Sequence, residues 1–168
     1  NAFHMAVTLL YWHFILPDWE VMKTLSWDWA LRLYLVNCAG IFVMYGAIEF
    51  FYYWKRVQGT RFKYNPKFPG DAPSDVFWFK SQNIDNVLRS FLWGIVMWTV
   101  VEVLMLWCFA NGWVAWVNWS EHPVWLAVLL LLTPAIHEVN FFVIHRLIHT
   151  PVLYKWIHSI HHNSINPS

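Results

Sequence analysis

The sequence has little charge, and this excludes an ordinary soluble domain. Charged residues make up 12% of the 168 residues, against about 25% in a typical soluble protein. Hydrophobic residues make up 58%, and the net charge of +1 gives no basic excess for binding nucleic acid. The composition predicts an integral membrane protein, in agreement with fourteen tryptophans, because indole rings collect at membrane interfaces.

Cysteine and processing signals are equally scarce. Cys38 and Cys108 lie far apart in apolar stretches, and we interpret them as small hydrophobic residues that identify no redox compartment. The chain has no initiator methionine. Its apolar opening also lacks the basic start and the small-residue cleavage site of a signal peptide. We therefore expect both ends to be cut short relative to the natural protein.

Four apolar stretches predict a single all-α membrane domain with four transmembrane helices. The predicted spans are residues 1–16, 30–54, 88–113 and 123–145, with a loop at 55–87 and a histidine-rich region at 145–168. The first span is short, because its apolar part, Phe3–Leu16, does not reach across a hydrocarbon core of roughly 30 Å. The other three are long enough to cross or nearly cross a bilayer.

Basic residues predict the orientation of these helices. The segment 55–89 holds seven of the eleven lysines and arginines, whereas the connection 18–28 holds only Lys23 and the connection 115–122 holds none. Because positive charge favours the cytosolic side, we expect the loop 55–87 and the histidine-rich region to be cytosolic. The sequence does not decide between the endoplasmic reticulum and the bacterial inner membrane.

Five histidines in the eighteen residues that end at position 162 form the most distinctive pattern in the chain. Positions three or four apart share one face of a helix, so each group can present its rings to one point. The histidines are His145, His149, His158, His161 and His162. We expect Thr150-Pro151 to end the first helix, so that a second helix folds back. Neutral imidazole binds Zn, Cu, Fe and Ni, so the pattern predicts one or two metal ions rather than a metal-free histidine-rich edge.

Other polar residues near the histidines have two interpretations each. Glu138 lies on nearly the same helix face as His145, where it can accept an imidazole N–H, bind metal, or simply pair with a basic residue. His137 is rotated from that face by about 80°, which favours a helix contact or a substrate cavity over a metal ligand. Arg146 and Lys155 are interpreted as surface anchors or as a docking site for an acidic electron donor.

The two histidine boxes resemble those of the fatty acid hydroxylase and sterol desaturase superfamily, which are membrane non-haem di-iron oxygenases. The resemblance rests on His-Arg-x-x-His at 145–149 and His-x-x-His-His at 158–162, with eight residues between them. It implies a four-helix stem under a cytosolic cap that holds two irons, for which Zn can substitute. It also implies hydroxylation or desaturation of a sterol or fatty-acyl substrate from the bilayer. That reaction would use O2 and electrons from a b-type cytochrome, a ferredoxin or a reductase.

This chain departs from that superfamily because it ends before a further histidine box. We therefore expect an incomplete cap, whose five histidines hold one metal well and two only with added ligands. One alternative is a non-catalytic membrane subunit of a larger complex that keeps a structural or vestigial metal site. Another is a transporter or channel with Glu49, Glu102 and Glu138 as its polar path. The substrate, and the choice between hydroxylation and desaturation, stay open.

Overall fold

The computed structural model describes residues 2–71 and 73–164, without the side chains of Ala2, His4 and His161. Every regular element in this part of the chain is helical, which confirms the prediction of an all-α protein. The chain divides into two compact units, Asn1–Val114 and Ala115–Ile165.

Within residues 2–71 and 73–164, three helices are long and apolar enough to cross a membrane. They are Trp27–Trp54, Gln82–Ala110 and Pro123–Ile148, of 28, 29 and 26 residues. These helices confirm the membrane class. Each of them has at least one end that lies three to six residues from its predicted bound. The predicted span at residues 1–16 is a shorter apolar helix, formed by α1 (Ala2–Leu10) and a π-helical turn (Tyr11–Ile15). Its apolar part falls short of a hydrocarbon core of roughly 30 Å, so a fourth span stays a prediction.

The predicted loop 55–87 ends earlier than expected, because a helix begins at Gln82. The helix that begins at Gln82 consists of α4 (Gln82–Arg89), a π-helical turn (Ser90–Gly94) and α5 (Ile95–Ala110). Ser81 caps this helix, because its side-chain oxygen accepts the backbone N–H of Ile84 at 3.4 Å. The buried Asp85 adds an ion pair with Arg89 at 2.8 Å. Hydropathy placed the helix start at residue 88 because it does not register a polar first turn.

The core of the first unit forms between α5 and α3, which spans Trp27–Ile48 after a short helix α2 at Trp19–Met22. Each long helix buries a stripe at every fourth position, and such a stripe forms one helical face. The stripes are Trp29, Leu33 and Asn37 in α3 and Ile95, Thr99 and Val103 in α5. Trp107, near the end of α5, donates its indole N–H to the carbonyl of Lys23, just before α3, at 3.1 Å. Asn37, further along α3, contacts Thr99, which lies earlier in α5. The two helices are therefore antiparallel.

A polar network crosses this apolar core. One carboxylate oxygen of Glu102 accepts the Tyr11 hydroxyl at 2.6 Å, and the other accepts the Asn37 amide at 2.7 Å. The same Asn37 amide nitrogen lies 3.1 Å from the Thr99 hydroxyl. Nearby, the Arg32 guanidinium donates to the Phe14 carbonyl at 3.0 Å. The network therefore joins the N-terminal helix to α3 and α5 through hydrogen bonds.

Candidate metal centre

The second unit contains one long helix, α6 (Pro123–Ile148), followed by a short helical return. Thr150 is extended, with φ −65° and ψ 146°, because it precedes Pro151, and the long helix ends there. The return consists of α7 (Pro151–Leu153), a π-helical turn (Tyr154–His158) and α8 (Ser159–His162). The predicted break at Thr150-Pro151 and the predicted second helix are both confirmed.

Three of the predicted ligands meet between these two helical segments. The Nε2 atom of His145 lies 3.1 Å from Nε2 of His149 and 3.2 Å from Nε2 of His158. A ligand nitrogen from each of the three residues lies within 4.8 Å of the other two. His158 is buried, His145 is half-buried and His149 is exposed, so the cluster reaches from the protein surface inward. The predicted convergence of the two groups is confirmed for these three residues.

Two of the three nitrogen–nitrogen distances in the cluster fit a shared metal ion. A ring nitrogen carries either one proton or one lone pair in the ring plane, so His145 Nε2 cannot make two full hydrogen bonds. Two nitrogen ligands about 2.0–2.1 Å from a metal, at 90–109°, stand about 2.8–3.4 Å apart. The contacts of 3.1 and 3.2 Å lie within this range. Three histidines could thus hold one ion, and an all-imidazole set suits Fe, Zn, Cu or Ni better than Mg or Ca.

Electrostatics favour the ligating form of His149. Desolvation by its surroundings lowers the pKa of this imidazole, and the neighbouring His145 and His162 lower the pKa further because imidazolium charges repel. A lowered pKa keeps the ring neutral to a more acidic pH than a free histidine side chain. Since only the neutral ring binds metal, the lowered pKa makes His149 available to a metal ion without the loss of a proton.

The other two predicted ligands differ in position. The ring of His162 lies beside the group of three, with its centroid 4.6 Å from that of His158 and 5.2 Å from that of His149. The side chain of His161 lies outside the described part of the chain. Of the five histidines, the structure therefore brings three together and places a fourth next to them.

Glu138 and His137 contact each other on the exposed surface of α6. The Glu138 carboxylate lies 3.5 Å from Nδ1 of His137, and both side chains are more than two-thirds exposed. The ring of His137 stacks on Phe141 at 6.3 Å, and Phe141 contacts His145 at 4.9 Å. Arg146 is exposed. Roles for Glu138, His137 and Arg146 at the metal or in a substrate cavity stay predictions.

Sequence reasoning missed the role of Tyr154 beside the cluster. Its ring centroid lies 5.7 Å from that of His149, 6.1 Å from that of His158 and 5.5 Å from that of His162. Tyr154 precedes His158 by four residues and His162 by eight, so the spacing rule applied to the histidines also finds this residue. The π-helical turn that contains it has no comparable sequence signal.

Comparison of the chain with protein-family models, curated proteins and solved structures finds no match. The class of the protein therefore follows from its own features. It is a helical membrane-type protein whose described part carries a three-histidine candidate metal centre at the end of an apolar helix.

Pro151→Ala is expected to weaken metal binding about two- to fivefold. Proline fixes its own φ and keeps Thr150 extended, whereas alanine lets α6 continue. The segment that carries His158 is then less preorganised for binding, at a cost of about 0.4–1 kcal/mol. Competition titration of the purified protein with a Zn²⁺ chelator measures the change. Pro134→Ala is the matched control, because Pro134 lies inside α6 and not between the two groups of ligands. Equal affinities for wild type and Pro151→Ala would show that the break does not position the centre.

Proposed function

We propose that the protein is an iron-dependent membrane oxygenase that hydroxylates or desaturates a sterol or a fatty-acyl chain. The observation that carries this proposal is the convergence of three imidazoles at the end of an apolar helix of 26 residues. A metal centre in that position is accessible to a lipid from the bilayer. The resemblance of both histidine boxes to those of the fatty acid hydroxylase superfamily supports the same chemistry.

The residues of the cluster act as ligands rather than as acids or bases. His145, His149 and His158 hold the first iron, and His161 and His162 contribute to a second iron together with ligands from outside these five. Bound iron supplies the reaction of O2 with two electrons at an unactivated C–H bond. The lowered pKa of His149 keeps that imidazole in the neutral form that binds metal.

Two aromatic rings flank the cluster. Phe141 contacts His145 at 4.9 Å, and Tyr154 lies against His149 at 5.7 Å. Rings in these positions limit the orientations of both imidazoles. Such restriction supports a preorganised set of nitrogen donors for a metal ion.

The proposed setting follows from charge. The basic segment 55–89 favours the cytosol, and α6 then delivers the histidines to the cytosolic face of an endoplasmic reticulum or bacterial inner membrane. Arg146 and Lys155 are both exposed and give an acidic electron donor, such as a b-type cytochrome, ferredoxin or reductase, a basic surface. Assembly into a larger membrane complex is compatible with this arrangement.

Lipid analysis under ¹⁸O2 tests the proposed function. Cells that express the protein together with a reductase are expected to accumulate a lipid with one ¹⁸O atom, or one that lacks two hydrogens. Mass spectrometry of extracted lipids detects either product, and the product should disappear without O2 or after iron chelation. Iron-loaded protein with an unchanged lipid profile would contradict catalysis and favour the non-catalytic subunit.

A further inference from the structure

An open groove of about 320 Å³ lies in the first unit, where the helix Trp27–Trp54 ends. The groove has an apolar and aromatic wall and a polar side. The wall consists of Ile48, Tyr52, Tyr53 and Phe62, and the polar side contains Gln58 and Lys63. Since most of the wall belongs to a candidate membrane span, the groove lies at the level of the lipid headgroups.

A tight reversal of the chain forms this groove. The helix ends at Trp54, and Arg56 then adopts the left-handed conformation, with φ 51°. Gly59 is also left-handed, and its N–H bonds to the Arg56 carbonyl at 2.8 Å. The left-handed conformation is strained for a non-glycine residue such as Arg56. Two contacts of its side chain offset this strain, an ion pair with Asp71 at 2.6 Å and the ring of Phe68 at 4.1 Å.

The reversal brings Lys63 back to the aromatic wall. The ammonium group of Lys63 lies 4.8 Å from the centre of the Tyr53 ring and 5.1 Å from that of the Phe68 ring. These cation–π contacts fix the charge at the edge of the groove instead of leaving it on a freely moving side chain. The half-buried Lys63 therefore presents a positioned positive charge next to an apolar surface.

The surrounding segment has a strong positive balance. Residues 55–71 contain five basic side chains and one acidic side chain, Asp71. The carboxylate of Asp71 is already engaged, because it pairs with Arg56 and accepts the backbone N–H of Phe68 at 2.8 Å. Five basic side chains and one acidic side chain give residues 55–71 a net charge of +4, and this excess attracts an anion.

We propose that this groove binds one anionic phospholipid, with the phosphate at Lys63 and Gln58 and an acyl chain on the wall of Ile48, Tyr52 and Phe62. Charge complementarity favours an anionic headgroup, and the apolar wall favours a lipid over a free phosphate ion. A groove of about 320 Å³ has the size of a small-ligand site, whereas a protein partner needs a contact area of about 800 Å² on each side. The site is independent of the histidine cluster.

Lipid titration of the whole chain in a neutral detergent tests this proposal. Native mass spectrometry is expected to show one phosphatidylglycerol bound at least about fivefold more tightly than phosphatidylcholine. Lys63→Gln should weaken phosphatidylglycerol binding at least about fivefold, since a positioned headgroup contact is worth about 1 kcal/mol or more. Lys67→Gln is the matched control, because it removes the same charge from an exposed side chain that does not line the groove. That variant should bind the lipid within about twofold of wild type.

Four results would overturn the proposal. Equal weakening by Lys63→Gln and Lys67→Gln would indicate diffuse attraction by the basic segment. Displacement of the lipid by an equal concentration of inorganic phosphate would indicate a soluble-anion site, and equal affinity for both phospholipids would exclude recognition of charge. Loss of binding in Lys63→Arg, in protein that is still folded by tryptophan fluorescence, would also contradict a charge contact. None of these measurements depends on bound metal.

Discussion

His145→Ala is expected to lower metal affinity more than about 100-fold and to abolish lipid oxidation. His145 is the central residue of the cluster, because its Nε2 atom contacts Nε2 of both His149 and His158. Losing even an outer hydrogen-bond partner of a ligand typically costs 10–100-fold in affinity, and losing the ligand itself costs more. Elemental analysis of iron-loaded, desalted protein measures the bound metal, and ¹⁸O incorporation into lipid measures turnover.

His122→Ala is the matched control for this experiment. Its substitution also removes one imidazole from the same compact unit, but His122 precedes α6 and is exposed. This variant should keep the metal content and turnover of wild type. If His145→Ala retained wild-type metal content, the three-histidine centre would be wrong. If the variant lost metal but lipid oxidation continued, the proposed function would be wrong while the metal site stood.

Glu102→Leu is expected to destabilise the folded protein by about 2–4 kcal/mol. The substitution leaves the Tyr11 hydroxyl and one Asn37 hydrogen bond without their acceptor inside the helix packing. An unsatisfied buried polar group costs about 1–3 kcal/mol. For a chain of this size, the change corresponds to a fall of roughly 5–15 °C in melting temperature. Thermal unfolding in detergent, followed by intrinsic tryptophan fluorescence, measures this fall.

Two further variants serve as controls for Glu102→Leu. Glu102→Gln keeps one side-chain acceptor, so its loss should be about 1 kcal/mol. Glu20→Leu removes an exposed carboxylate that pairs with Lys23, and such surface pairs contribute about 0–1 kcal/mol. A Glu102→Leu protein with unchanged melting temperature but altered ion flux in liposomes would contradict the structural role. It would favour the transporter alternative.

The histidine cluster could be predicted from sequence because its information is local. Positions four apart share a helix face, and a residue before proline leaves the helical region, so His145, His149 and the return to His158 follow from spacing. The same local rules predicted the long apolar helices and the all-helical fold. They did not give the π-helical turn at Tyr154–His158, because a one-residue widening of a helix has no distinct composition.

Long-range and polar features escaped prediction for physical reasons. The partner of Glu102 is Tyr11, which is 91 residues away, and no periodicity within one helix identifies such a pair. The start at Gln82 depends on the cap at Ser81, which a hydropathy average over the span does not detect. The first predicted span is a shorter apolar helix, as its length in the sequence already indicated, and a fourth crossing stays a prediction.

The candidate metal centre joins residues that are only thirteen positions apart in the chain, His145 and His158. A segment of about ten residues closes into a loop in roughly 10–100 ns, far faster than a ribosome adds one amino acid. The centre also belongs to a compact unit that excludes the first three apolar helices. During synthesis, the hairpin that carries these histidines can therefore close as soon as it emerges, without waiting for the slower packing of the N-terminal helices.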